Sequence, residues 1–94
     1  TLEEKVSQMF MVRYPGKGAV TEIKKYRPGG YVLFAQDFKN ETKKSMKKKL
    51  ANCQKASKIP LALSVDEEGG TVVRISKYKA FRKKKFDSPQ SLYT

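Results

Sequence analysis

Three short apolar runs constrain this chain more than any other feature: Met9–Val12, Gly30–Ala35 and Leu61–Val65, four to six residues each. Unbroken runs of this length are the form expected of parallel strands covered on both faces, whereas a half-exposed antiparallel strand would alternate. Turn signals close each one. The first extends through Arg13 and Tyr14 to Pro15-Gly16, the second gives way to Asp37, Asn40 and Thr42, and the third stops at Asp66-Glu67-Glu68-Gly69-Gly70. Between them the pattern is helical. Thr1-Leu2-Glu3-Glu4 has the form of a capping box, which predicts a helix from there to about Gln8. A second helix is expected over Ala19–Tyr26, with Val20 and Ile23 inward, ending at Arg27-Pro28 because proline disfavours helix at the residue before it. A third is expected from Thr42 to Ser57, with Met46, Leu50 and Cys53 on one narrow stripe.

The resulting order is helix, strand, helix, strand, helix, strand, with connections long enough for right-handed parallel crossovers. The expected fold class is therefore α/β, a partial (β/α)8 barrel of about three parallel strands with crossover helices. Met9, Phe10, Phe34, Leu61 and Leu63 read as core. After Gly70 the signal weakens. Val72, Val73 and Ile75 permit a short strand at most, and the basic stretch Lys77–Lys85, interleaved with Tyr78 and Phe81, reads as irregular loop. No internal repeat or low-complexity linker interrupts residues 1–94, which read as one domain fragment.

The formal charge is +12, from 21 basic residues against nine acidic ones. A basic surface gains from releasing condensed counterions, which raises a stand-alone anion-binding or nucleic-acid-binding module as an alternative. Yet all but Arg13, Arg27, Arg74 and Arg82 of these cations are Lys, and base-edge recognition favours the Arg fork. The Lys-rich third helix has too narrow an apolar stripe to lie on lipid and reads as a solvated face packed on a sheet. No nucleic-acid partner and no membrane partner are expected. The single cysteine, Cys53, leaves no internal disulfide, and the chain has no histidine. Catalysis would have to use carboxylates.

The segment best placed for chemistry is Asp66-Glu67-Glu68-Gly69-Gly70-Thr71-Val72-Val73-Arg74. Ligands bind at the carboxyl ends of strands in parallel α/β folds, so acids ending a strand are placed to meet a substrate. A carboxylate suits a sugar because its oxygens accept from neighbouring hydroxyls, and the glycines permit close backbone approach. The structural alternative keeps Glu67 and Glu68 as solvated loop residues and pairs Asp66 with Arg74 as an ion pair holding the turn. Arg13 and Tyr14, ending the first strand, and Asp37 and Asp87, on loops after strands, are further candidates, with turn or cap roles as the plainer reading for the two aspartates. One acidic cluster is too little for a hard-cation site, so no metal is expected.

These residues resemble the N-terminal barrel of glycoside hydrolase family 3. The similar blocks are Leu2-Glu3-Glu4-Lys5-Val6 with Gln8-Met9-Phe10-Met11-Val12, Pro28-Gly29-Gly30-Tyr31-Val32-Leu33-Phe34, Ile59-Pro60-Leu61 with the Asp66–Arg74 segment, and Phe86-Asp87-Ser88-Pro89 with Leu92. The β-N-acetylhexosaminidase branch carries the Asp-x-Glu-Gly-Gly-x-Val-x-Arg block most recognisably. The resemblance implies a retaining glycosidase acting on terminal β-linked N-acetylhexosamine, with a carbohydrate substrate and no cofactor. A β-glucosidase-like member is the alternative. It implies that Asp66 and Arg74 bind sugar in the non-reducing-end subsite and that no catalytic residue lies in these 94 residues. The nucleophile and a histidine acid/base fall further along the family barrel. The chain is thus expected to be inactive alone and, with open sheet edges, to self-associate.

Overall fold

A computed structural model describes residues 1–93; Thr94 lies outside the described residues. The elements run α1 (Leu2–Ser7), β1 (Met11–Arg13), α2 (Ala19–Tyr26), β2 (Gly30–Leu33), α3 (Ala35–Phe38), α4 (Lys43–Ala56), β3 (Ala62–Val65) and α5 (Pro89–Tyr93). The three strands form one parallel sheet in the order β1-β2-β3, the arrangement of successive staves in a (β/α) barrel. Register is continuous across it: Met11 faces Gly30 and Gly30 faces Ala62, Val12 faces Tyr31 and Tyr31 faces Leu63, and Arg13 faces Val32 and Val32 faces Ser64.

Because side chains alternate along a strand, this register sorts them onto two faces. Tyr31 and Leu33 point into the core with Ile23 and Ala19 of α2, Phe38 of α3, and Met46 and Cys53 of α4. The buried Tyr31 hydroxyl reaches the Ala19 carbonyl and a Glu22 carboxylate oxygen, both at 3.1 Å, tying β2 to α2. The opposite face carries Met11, Arg13, Gly30, Val32, Ala62 and Ser64, of which Met11, Arg13, Ala62 and Ser64 are exposed. A side chain at Gly30 would collide with the Ala62 carbonyl and sit 2.6 Å from the Met11 sulfur, so glycine is what lets Met11 lie across the sheet. This open face corresponds to the interior of a closed barrel.

The helices begin where their caps predict. The Thr1 and Thr42 hydroxyls accept from the amides of Glu4 and Ser45, at 3.1 and 3.0 Å. The strands are shorter than the apolar runs. Met9 and Phe10, expected in the core, are 81% and 58% exposed, because their amides bond back to Val6 and Ser7 in the turn that ends α1 and never join the sheet. Leu63 is also corrected: it is 37% exposed on the edge strand β3, while Leu61 is buried as expected. Ala35 belongs to the one-turn helix α3 rather than to β2. Residues 72–75 form no strand, only the single antiparallel bridge between Gly69 and Val72.

Candidate functional site

Parallel register brings the strand ends to one edge. Arg13 closes β1, while Phe34 and Asp66 each follow directly on the last paired residues, Leu33 and Val65. The chain then turns back over this edge. The Arg74 guanidinium lies 5.7 Å from the centre of the Phe34 ring and that of Arg13 lies 4.7 Å from it, so two cations use one aromatic ring. Asp66 is exposed and Arg74 half-buried. The Nε of Arg74 is buried and has no hydrogen-bond partner, an unmet donor at the strand ends.

What folds the loop back is Glu67. One of its carboxylate oxygens accepts from the amides of Arg74 (2.7 Å) and Ser76 (2.9 Å), and the other from the Ser76 hydroxyl (2.8 Å). Burial by itself would push this carboxyl up, but those donors outweigh it and hold the group below the usual carboxylate range. Ser76 is buried as a result, beside the buried Val73. The glycines act in the same closure. Gly69 and Gly70 have φ of 90° and 60°, and a side chain at Gly69 would strike the Asp87 carbonyl. The Gly70 amide donates to the Phe86 carbonyl at 3.1 Å. Their close backbone approach is thus to residues 86–87 of the chain itself.

Several expectations change here. Glu67 is a half-buried clamp, not a solvated loop residue, whereas Glu68 is exposed. Among the described residues the salt bridges are Thr1 with Glu4, Arg27 with Glu4 and Lys49 with Glu41, so no Asp66–Arg74 ion pair holds the turn. Tyr14 does not line the strand ends. It is buried on the helix side, edge-on to Tyr31 at 5.5 Å, and burial raises the pKa of its hydroxyl. Asp37 is a cap, accepting from the Phe34 amide at 2.7 Å and so fixing the backbone that carries the ring. The Asp87 side chain is exposed. Among the described residues no group of three or more Cys, Asp or Glu side chains is gathered as metal ligands would be. Phe34 and Ser76 are not legible as parts of this corner from spacing: a ring ending an apolar run looks like core, and Ser76 lies outside the acidic segment.

The profile for the glycosyl hydrolase family 3 N terminal domain matches residues 1–85, nearly the whole chain. The chain belongs to glycoside hydrolase family 3. The strand order and the Asp66–Arg74 loop at the sheet's carboxyl edge therefore belong to a glycosidase-family barrel, of which these residues supply three strands. No curated protein matches the chain closely.

Proposed function

We propose that this family 3 chain forms part of the sugar subsite of a retaining glycosidase that removes terminal β-linked N-acetylhexosamine, with Asp66 and Arg74 holding the hydroxyls of the terminal sugar. The observation that carries the reading is the unmet Nε donor of Arg74 beside Phe34, at the strand edge from which the exposed Asp66 emerges. An aspartate accepting from two adjacent hydroxyls and an arginine donating to a sugar oxygen form charge-assisted contacts, stronger than neutral ones. Glu67, already accepting three hydrogen bonds, is committed to the loop and is not available as nucleophile or acid. Retaining hydrolysis needs two groups flanking the scissile bond, about 5 Å apart when both are carboxylates. The nucleophile and acid/base are assigned to other parts of the family barrel, so the 94-residue chain should not cleave a chromogenic β-N-acetylglucosaminide.

Calorimetric titration tests the binding role. N-acetylglucosamine should bind the chain weakly and glucose more weakly still. Asp66→Ala or Arg74→Ala should lower the affinity at least about tenfold, the loss expected for a hydrogen bond to a charged group, with little change in melting temperature. Equal binding of the two sugars would favour a β-glucosidase-like member, and unchanged affinity in both variants would remove the assignment.

A further inference from the structure

The charge of the chain is not spread evenly over its surface. Of the 21 cations, fourteen lie in residues 37–58 and 77–85, which contain only two acids, Asp37 and Glu41. The remaining residues carry seven of each sign, so the whole formal +12 resides in those two stretches. All fourteen cations are exposed, and among the described residues only Lys49, paired with Glu41, is in a salt bridge. The two stretches adjoin at α3 and Met46 of α4, whereas Lys58 lies at the other end of the molecule with Glu4 and Arg27. Phe81 meets Phe38 of α3 edge-on at 5.2 Å, and Ile75, Tyr78 and Phe81 pack against the core that includes Met46 of α4.

This distribution works against the helix that bears it. Lys43 and Lys44 occupy the first turn of α4, where the positive end of the helix dipole disfavours cations. Lys43 with Lys47, and Lys44 with Lys48, are like-charge pairs one turn apart. No carboxylate within α4 offsets them. Helix stability alone would favour acids at these first positions.

We propose that this face docks an anionic glycan, a polysaccharide carrying carboxylate or phosphate groups, and tethers the enzyme to the polymer whose ends it trims. That the polymer is a glycan rests on the glycosidase reading above. Thirteen of the fourteen cations are Lys, point charges that follow a charged chain without the fork that reads base edges. A single-strand nucleic-acid platform offers free aromatic faces for stacking. Here Tyr78 and Phe81 pack inward, and Phe86 carries the Arg82 guanidinium 3.8 Å from its ring centre. The stretch 77–85 follows Arg74 and Ser76 directly in the chain, so the loop that carries the proposed sugar subsite leads into the basic segment.

The test measures binding of the chain to fluorescent polygalacturonate, with neutral dextran and single-stranded DNA of equal charge as comparisons, across a salt series. Polygalacturonate should bind with affinity that falls as salt rises, and dextran should not bind. Replacing Lys43, Lys44, Lys47 and Lys48 with Gln should weaken binding by about tenfold or more and flatten the salt dependence, whereas the same change at Lys5, Lys17, Lys24 and Lys25 should stay within about twofold. Equal losses in the two variants would mean net charge without a docking face, and no binding, or tighter binding of DNA than of polygalacturonate, would overturn the proposal. The face and the subsite fail separately: the α4 variant should keep its N-acetylglucosamine affinity, and Asp66→Ala should keep its polygalacturonate affinity.

Discussion

Replacing Glu67 with alanine strands two amides and a hydroxyl that now share its carboxylate. The expected cost is about 2–4 kcal/mol, the range for losing hydrogen bonds to a charged acceptor and leaving buried donors unmet. Glu67→Gln keeps an oxygen for both amides and should cost clearly less, so thermal melting of the two variants separates the hydrogen bonds from the charge. The sign of the pH dependence follows from the lowered folded pKa. Stability from Glu67 is fully present above the pKa of an ordinary unfolded glutamate and is lost as pH falls through the lower folded value. Melting temperature followed through that acidic window should fall more steeply for the native chain than for Glu67→Gln; parallel curves would contradict the clamp. The place of Asp66 at a strand end was legible in the sequence because an apolar run stops there. Which member of the acidic triplet turns inward was not, since the donors that select Glu67 lie on residues 74 and 76 and meet it only after the loop has closed.

Elements with their own local code were legible, and those fixed by partners were not. The span Ala19–Tyr26 is bounded by Gly18 with φ of 86° and by Arg27 ahead of Pro28, and both ends can be read in the chain. The same holds for α4, whose Thr42 cap satisfies the Ser45 amide. Thr42→Ala should therefore destabilise the chain by about 1 kcal/mol in denaturant unfolding, and Thr42→Asp should recover most of that loss. Failure of both substitutions to change the midpoint would show that the cap contributes nothing to α4. By contrast, α3 is a single turn, too short to show a helical period, and is held by the Asp37 carboxylate at the Phe34 amide. Apolar content alone extends the first strand too far, because it does not reveal that the Met9 and Phe10 amides are consumed by the turn after α1.

The whole molecule is a slab. Its radius of gyration is 15.1 Å and its extents are 50 × 27 × 17 Å, whereas a compact chain of this length would have a radius of about 12 Å. The shortest extent fits one sheet with a single helical layer, since face-to-face layers pack about 10 Å apart. Among the described residues the face that carries Arg13, Ala62 and Ser64 is largely exposed, and β1 and β3 each have a strand neighbour on one side only. In a closed barrel that face is filled by side chains of the other strands. The 94-residue chain is accordingly expected to self-associate, opposed by its +12 charge and favoured by salt that screens it. Sedimentation at micromolar concentration should show association growing as salt rises, and a compact monomer at every ionic strength would count against it. A sugar subsite at the carboxyl edge of this slab is tested most directly by amide chemical-shift mapping with N-acetylglucosamine. It predicts shifts concentrated at Arg13, Phe34 and residues 66–76 that vanish in Asp66→Ala. Shifts confined to the opposite end, around Gln8, Arg27 and Lys58, or shifts unaltered in that variant, would contradict it.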